Sequence, residues 1–397
     1  MKVLQINSVY PTKSTGRIAA QIAEIQLSHG ISPYIVCSQS FEKDDNIFEM
    51  KSGLYKKINI LKTRLFGKHG FYSKSATKAM LKWVDDVKPD IIHLHNIHGH
   101  YLNVELLFEY IKEKNIPVVW TLHDCWAFTG HCSHFDFAGC EKWKTGCHHC
   151  SLKKDYPITW FFDRSKEAYK DKKRLFTLPD KMVITTPSKW LKELCKESFL
   201  SSYPVEVVNN GIDLQLFKSV ESDLKSKLSL EDKFVIFGIV DSLKGTKGGQ
   251  YFLQLSKMLK KDEAILLLTP KEIEGDVPEN IKIYSENVST KELCSLYTMA
   301  DVFVNPSLQE SFSMVNLESL ACGTPVVTFN SGGTTECHSD KTGVLVSRGD
   351  TQALYEGIQK ARKGAFSSED CIKRATEFDY KLKFEQFIHI YNGILHK

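Results

Sequence analysis

Short apolar runs of strand length alternate with helix-length amphipathic segments along almost the whole chain. In the first half these runs read KVLQINS, PYIVCSQ, PDIIHLH, IPVVWTLHD, KMVITTP and VEVVNNG. The second half repeats the pattern with KFVIFGIV, AILLLTP, NIKIYS, ADVFVNPS, TPVVTFN and GVLVS. Strands separated by helices are typical of parallel βαβ units. The sequence therefore predicts an α/β protein.

The number of strands predicts two domains. About twelve strands exceed the usual size of one twisted sheet, so we expect two Rossmann-like, doubly wound parallel-sheet domains. The strand pattern is interrupted between Ser202 and Glu231, which places the domains at residues 1–204 and 205–376. Aromatic and aliphatic residues at helical spacing predict a C-terminal helix at about 377–397, which we expect to pack back on the first domain.

Composition and charge exclude several classes of protein. With 42% hydrophobic and 25% charged residues the chain is neither disordered nor fibrous. The net charge of +4 is too balanced for a dedicated nucleic-acid binder. No apolar run approaches the roughly 18 residues of a membrane span, and the N-terminal residues lack a signal-peptide core. The expected location is therefore cytoplasmic.

The segment NPSLQESFSMVNLE, which follows the apolar run ADVFV, carries the clearest chemical signal. It predicts a strand, a loop with Glu310, and a helix with Glu318 about two turns inside. Ser311, Phe312 and Ser313 are expected to form the first helical turn, whose free N–H groups and dipole suit a phosphate. Carboxylates accept hydrogen bonds from sugar hydroxyls, so the segment suits a ligand with both groups. A surface helix with two solvated glutamates is the alternative interpretation.

The same pattern resembles the E-x7-E signature of retaining glycosyltransferases with the GT-B fold, glycosyltransferase family four. Other segments match that family in order: YPTKSTGRIA its first glycine loop, TLHDCWAFTGHC a strand ending in His123, VVNNGID its interdomain motif and TPVVTFNSGGTTE its Gly-Gly turn. The matches extend over most of the chain. The resemblance implies GT-B architecture, in which two Rossmann-like domains face each other across a cleft.

The resemblance also implies roles for individual residues. Glu318 would bind the ribose hydroxyls of a nucleotide and Glu310 the hydroxyls of the donor sugar. Lys247 would pair with the diphosphate, and His123 would lie near the donor sugar. The arginine that the family usually carries before this lysine is absent, and Lys244 is its nearest substitute. The full set of implied donor-binding residues is Gly16, Arg17, Asn210, Lys244, Ser311, Phe312, Ser313 and Glu318.

The implied activity is transfer of a hexose-like sugar with retention of configuration. The donor would be a nucleotide-diphosphate sugar and the acceptor a saccharide or lipid-linked saccharide in bacterial surface-polysaccharide biosynthesis. No D-x-D triplet is present, so we expect cations and amide dipoles, without a metal cofactor, to stabilise the leaving diphosphate. Asp124 is an alternative acid–base residue to His123. A sugar-nucleotide epimerase and a non-catalytic nucleotide-sugar or glycan-binding protein remain as alternative functions.

Cysteines are concentrated in an insert at residues 125–150. Cys132, Cys140, Cys147 and Cys150 have the spacing C-x7-C-x6-C-x2-C. Four thiolates with a terminal C-x2-C can close a tetrahedral zinc site. The insert therefore predicts a structural zinc ion, with free thiols or a disulfide as the alternative.

A basic segment runs from Lys51 to Lys82. It contains nine Lys or Arg residues, no Asp or Glu, and interleaved apolar residues. Such a segment can lie on an anionic membrane surface, which predicts a peripheral location on the inner face of the cell membrane. The alternatives are a solvated helical face over a buried apolar stripe and nucleic-acid binding, although no recognised nucleic-acid module surrounds the segment.

Overall fold

The chain folds into two α/β units. The first unit consists of the residues up to Asn209 together with the C-terminal residues from Lys383 onward. The second unit consists of Asn210–Leu382. None of the described helices is long and apolar enough to cross a bilayer. The computed structural model describes residues 1–50, 53–270, 276–285 and 288–396.

The first unit is built on a seven-stranded parallel sheet. Its strand order is β3-β2-β1-β4-β5-β6-β7. The strands are β1 (Lys2–Ile6), β2 (Ser32–Cys37), β3 (Ile47–Glu49), β4 (Ile91–Leu94), β5 (Val118–Thr121), β6 (Met182–Thr186) and β7 (Val205–Val207). The helices are α1 (Lys13–Ser28), α2 (Leu54–Phe66), α3 (Lys74–Val87), α4 (Val104–Lys114), α5 (Ser165–Phe176) and α6 (Lys189–Lys196).

The second unit is built on a six-stranded parallel sheet of order β10-β9-β8-β11-β12-β13. The strands are β8 (Phe234–Ile239), β9 (Glu263–Leu268), β10 (Ile281–Tyr284), β11 (Val302–Asn305), β12 (Val326–Phe329) and β13 (Gly343–Val346). The helices are α7 (Leu224–Lys227), α8 (Gly249–Ser256), α9 (Thr290–Met299), α10 (Met314–Ala321), α11 (Thr351–Arg362), α12 (Ser368–Thr376) and α13 (Tyr380–Leu395), the last of which continues into the first unit.

Both faces of the second sheet are covered by apolar cores. Val235 and Phe237 pack into one core, whereas Ile236, between them, packs into the other. Successive strand residues point to opposite faces of a sheet, so the continuous apolar runs in the sequence are explained by burial on both sides.

The predicted boundary at 204/205 was wrong. Strand β7 pairs with β6 through Val205 opposite Ile184 and therefore belongs to the first sheet. The second unit begins at Asn210, and it ends at Leu382 and not at residue 376. The sequence could not place this boundary because VEVV reads equally well as the last strand of one sheet or the first of the next.

Strand order reverses once in each sheet. The reversal lies between β1 and β4 in the first unit and between β8 and β11 in the second. Loops that leave such neighbouring strands in opposite directions open a crevice at the carboxyl edge of the sheet. In the second unit the loop after β8 carries Lys244 and Lys247, and the loop after β11 carries Glu310.

Candidate active site

Lys247 and Glu310 form an ion pair at the crevice of the second unit. The Lys247 Nζ lies 2.6 Å from Glu310 Oε1. Attraction by Glu310 raises the pKa of Lys247 against the opposing effect of burial, so the lysine stays protonated at neutral pH. The two loops are also joined by a backbone hydrogen bond from Leu308 N to the Thr246 carbonyl. A cation and a carboxylate are thus held side by side at the edge where ligands bind in open α/β sheets.

A glycine turn fixes the backbone at Glu310. The Gly333 N–H donates to the Glu310 carbonyl oxygen at 2.6 Å. Gly332 has a φ of 61°, and a Cβ there would lie 2.2 Å from the same oxygen. Only glycine fits this close approach in a left-handed conformation, so the Gly-Gly pair after β12 serves to hold the Glu310 loop.

Helix α10 begins later than the sequence predicts. It starts at Met314, so Ser311 and Phe312 lie in the preceding loop and Ser313 is the N-cap residue. The Asn305 side-chain amide donates to Ser313 Oγ at 2.9 Å, and Ser313 has extended backbone dihedrals. The extended backbone at Ser313 makes Met314 the first helical residue. The predicted helical first turn at Ser311–Ser313 was therefore wrong.

Glu318 is a buried carboxylate on α10. It is 9% exposed and is the fifth residue of the helix, little more than one turn inside and not two. The hydroxyl of Tyr297, on α9, donates to Glu318 Oε2 at 3.1 Å. A carboxylate that is buried and oriented in this way is not a solvated surface group, so the surface-helix interpretation of the Glu310–Glu318 pair does not hold for Glu318.

The remaining donor-binding candidates of the second unit differ in accessibility. Ser311 Oγ is buried without a hydrogen-bond partner. Phe312 is buried, with its ring 6.0 Å from that of Phe378, so its side chain belongs to the core. Lys244 is exposed in the loop after β8, and Asn210 is buried at the first residue of the unit. The unpaired Ser311 hydroxyl, just before the free N–H groups of α10, is the feature that suits a phosphate oxygen.

Gly16 and Arg17 lie on α1 of the first unit. The helix begins at Lys13, so Gly16 and Arg17 are its fourth and fifth residues. A Cβ at Gly16 would lie 3.0 Å from the Val9 carbonyl oxygen. Gly16 thus lets the helix approach the loop after β1 closely, and Arg17 is half-buried beside it.

His123, two residues beyond β5, ends a row of stacked histidines. Its Nε2 lies 3.1 Å from His95 Nδ1, and His95 Nε2 lies 3.0 Å from Gln5 Oε1. The Gln5 amide nitrogen donates to two oxygens of α1, so Gln5 Oε1 is the acceptor and His95 donates through Nε2. His95 Nδ1 then accepts from His123 Nε2–H. This assignment leaves His123 Nδ1 with a free lone pair.

Asp124 holds a second histidine in place. Its Oδ2 lies 2.9 Å from His98 Nε2, and its Oδ1 accepts from the Trp126 N–H. Burial alone would raise the pKa of the Asp124 carboxyl, but His98, His134 and the Trp126 N–H lower it to about 2. The Tyr156 hydroxyl lies 3.1 Å from the other ring nitrogen of His98. An ionised carboxylate with both oxygens engaged orients His98 and is not available as a general acid.

Sequence reasoning missed His95, His98 and Tyr156. The first two lie in the segment HLHNIHGH, where four histidines occur within eight residues directly at the end of β4. That density at a strand end was the available signal. Tyr156 carries no such signal, because only the tertiary fold brings it to His98 from a loop far along the chain.

The buried histidines predict a loss of stability in mild acid. Burial lowers the pKa of His93 to about 3 and those of His100, His123 and His131 to about 4, from an ordinary value of 6.5. At a pH between the lowered pKa values and 6.5, these histidines bind more protons in the unfolded chain than in the folded one. The free energy of unfolding therefore falls as the pH falls. We expect the free energy of unfolding, from urea titrations, to decrease from pH 7 to pH 5.

The range above pH 5 isolates the histidines, since carboxyl groups titrate mostly below it. The slope of the free energy of unfolding against pH should correspond to the uptake of more than one proton on unfolding. A free energy of unfolding that stays constant over this range would contradict the assignment of these rings as neutral.

The four predicted zinc ligands line one small cavity. Cys132, Cys140, Cys147 and Cys150 surround it, and the thiols of Cys132 and Cys150 hydrogen-bond to each other. All four are free thiols, and no three His, Cys, Asp or Glu side chains in the described residues are arranged to hold a metal ion. A structural zinc ion here stays a prediction.

Comparisons with known proteins identify the family and the fold of this chain. The family model described as Glycosyltransferase Family 4 matches residues 15–216, and the model described as Glycosyl transferases group 1 matches residues 220–378. The putative colanic acid biosynthesis glycosyl transferase WcaC of Escherichia coli is 23% identical over 99% of this chain and 100% of that protein. An uncharacterized 41.2 kDa protein in the cps region of Klebsiella pneumoniae is also 23% identical, over 86% of each chain.

Solved structures share the fold. Sucrose-phosphate synthase from Thermosynechococcus elongatus superposes with a TM-score of 0.74 at 14% identity, over 100% of this chain and 99% of that one. HepE from Anabaena, solved with UDP-glucose, has a TM-score of 0.64 at 14% identity over 99% of each chain. The fold is therefore GT-B, and the protein is a glycosyltransferase. Because one family model spans about half of the chain, this chain belongs to glycosyltransferase family 4.

Proposed function

We propose that this glycosyltransferase moves a sugar from a nucleotide-diphosphate sugar to a saccharide or lipid-linked saccharide with retention of anomeric configuration. The observation that carries the proposal is the grouping in one crevice of Lys247, Glu310 and the start of α10, with Glu318 on the same helix. This set offers separate partners for a diphosphate, a sugar and a ribose.

Departure of the nucleoside diphosphate is the step that these residues favour. When the bond between sugar C1 and the diphosphate oxygen breaks, negative charge grows on that oxygen. Lys247 is protonated and lies at the crevice, and the free N–H groups at the start of α10 add a favourable dipole. Both interact more strongly with the transition state than with the bound donor. Glu310 and Glu318 accept hydrogen bonds from the sugar and the ribose hydroxyls and set the position of the donor.

Retention follows if the acceptor oxygen attacks C1 on the face that the diphosphate leaves. The acceptor proton then passes to the leaving phosphate oxygen, so no side chain has to act as covalent nucleophile or base. His123, through its free Nδ1, accepts a hydrogen bond from a sugar hydroxyl. Asp124 is a positioning residue that orients His98.

The biological role in the proposal is surface-polysaccharide biosynthesis. It is supported by the name of the full-length relative from Escherichia coli, a putative colanic acid biosynthesis glycosyl transferase. The solved WaaG, described as a glycosyltransferase involved in lipopolysaccharide biosynthesis, has the same fold with a TM-score of 0.62 at 15% identity.

Product analysis tests the proposal. A panel of nucleotide sugars is first screened for thermal stabilisation of the protein, and the stabilising donor is incubated with saccharide and lipid-linked acceptors. We expect a glycoside whose anomeric proton coupling matches the configuration of the donor. A glycoside of inverted configuration contradicts retention, an epimerised donor indicates an epimerase, and binding without turnover indicates a non-catalytic binding protein.

A further inference from the structure

Helix α2 fully buries two polar residues and exposes four large apolar ones, and of its apolar side chains only that of Tyr55 packs against the core of the described structure. Its buried residues are Asn59 and Thr63. Asn59 Nδ2 donates to Ser73 Oγ at 2.8 Å, and Thr63 Oγ1 lies 3.1 Å from His100 Nδ1. A surface helix normally buries its apolar stripe against the core, so this orientation is reversed. The large apolar side chains that it exposes are Leu54 (74%), Ile58 (42%), Leu61 (47%) and Phe66 (52%).

A second apolar segment adjoins the C-terminal end of α2. The Trp160 N–H donates to the Arg64 carbonyl oxygen at 2.7 Å, and the Arg64 guanidinium lies 5.5 Å from the centre of the Trp160 ring. Trp160, Phe161 and Phe162 are 48%, 64% and 52% exposed. The helix and this loop therefore form one continuous surface, called here the α2–loop surface and consisting of residues 54–66 and 156–162.

Large exposed apolar side chains are concentrated on this surface. Of the fifteen in the described part of the chain, nine lie in these two stretches. Patches of this kind on soluble domains mark contact with another molecule or with a membrane.

The charge of the α2–loop surface indicates which occupant it fits. Helix α2 contains lysines and an arginine but no acidic residue. Lys57 and Lys62 are exposed and, by helical spacing, flank the apolar stripe on either side. Aromatic residues and cations around an apolar stripe suit the headgroup region of an anionic bilayer. A second copy of the chain would instead bring these cations against one another.

We propose that the α2–loop surface docks on a bilayer containing anionic lipid. The exposed aliphatic and aromatic side chains enter the headgroup region, and Lys57 and Lys62 lie at the level of the lipid phosphates. The loop also carries Tyr156, whose hydroxyl contacts His98, so the histidine cluster of the first unit lies close to this surface. The inference goes beyond the proposed chemistry, because docking does not depend on which sugar is transferred.

The neighbouring helix α3 provides an internal contrast. It belongs to the same basic segment but buries Ala76, Met80 and Val84 and exposes Lys78 and Lys82, as an ordinary surface helix does. The solvated-face interpretation of the basic segment therefore holds for α3 and was wrong for α2. Lys51, the first cation of the segment, lies outside the described residues.

Vesicle sedimentation of the full chain tests the proposal. The probes are vesicles of phosphatidylcholine alone and vesicles that also contain phosphatidylglycerol. We expect binding to the anionic vesicles and little to the neutral ones, with binding weakened by added salt. The double variants Lys57→Glu/Lys62→Glu and Phe161→Ser/Phe162→Ser should each lower the partition coefficient at least tenfold.

Matched variants control for total charge and for exposed apolar area. Lys78→Glu/Lys82→Glu makes the same charge change on α3, and Leu27→Ser removes a 62% exposed leucine from α1; each should change binding less than threefold. Failure of the unmodified protein to bind anionic vesicles overturns the proposal, as does an equal loss of binding in all four variants. Concentration-dependent self-association that Phe161→Ser/Phe162→Ser abolishes would assign the surface to a second copy instead.

Discussion

Replacement of Lys247 by alanine is expected to lower kcat at least 100-fold. That loss equals about 3 kcal/mol of activation free energy. The Lys247 ammonium lies 2.6 Å from Glu310 and stays protonated, and we propose that it meets the charge that develops on the leaving diphosphate. Loss of an interaction with the additional charge that develops in the transition state lowers kcat more than it weakens binding of the donor. Steady-state kinetics with the donor found by thermal screening measures both constants.

Two variants separate catalysis from structure. Lys225→Ala removes another ion-paired lysine of the same unit, which lies 3.2 Å from Asp301, and should leave kcat within threefold. Lys247→Arg keeps the positive charge and should recover part of the lost rate. Equal kcat values for Lys247→Ala and the unmodified enzyme would reject the assignment of Lys247 to the leaving group.

Replacement of Glu318 by alanine is expected to weaken nucleoside-diphosphate binding at least tenfold. Hydrogen bonds to a charged group contribute about 1.5–3 kcal/mol, and we assign two ribose hydroxyls to this carboxylate. The variant should also lose most of the preference for a ribonucleotide over its deoxyribose counterpart, because the residue that distinguishes them is gone. Calorimetric titration with both ligands gives the two dissociation constants.

The effect of Glu318 on folding has to be measured separately. The Tyr297 hydroxyl donates to Glu318 in the core, so alanine leaves a buried hydroxyl without an acceptor, and the thermal midpoint should fall. Glu318→Gln keeps an acceptor for Tyr297 and should restore the midpoint more than it restores nucleotide binding. If glutamine restores both equally, Glu318 supports the fold and does not bind ribose.

Most of the fold could be read from local sequence. All twelve predicted strand segments are strands, because β-branched and apolar residues in short runs have few alternatives when both faces of a sheet are buried. The strand that was missed, Ile47–Glu49, has three residues at the sheet edge and lacks a buried run. Short edge strands are determined by pairing with a neighbour, which local sequence does not report.

The sequence predicted the candidate residues of the second unit more completely than those of the first. In the second unit the candidate residues lie in two neighbouring loops and on α10, so the positions of Glu310, Glu318 and Lys247 followed from motifs that are local in sequence. The first unit brings its polar groups together over long distances, as when Tyr156 meets His98. Only His123 and Asp124 of that group were predicted, because they follow a strand directly.

The sequence by itself determined the α/β class, the two sheets and the residues of the crevice in the second unit, since strand length, periodicity and short motifs are local properties. Tertiary structure decided which side of α2 faces inward. Nothing in the spacing of α2 indicates that Asn59 and Thr63 are buried while Leu54 and Leu61 are exposed. Asn59 of that helix donates a hydrogen bond to Ser73, and Thr63 pairs with His100; both partners come from outside the helix, so the spacing of its own residues does not report them.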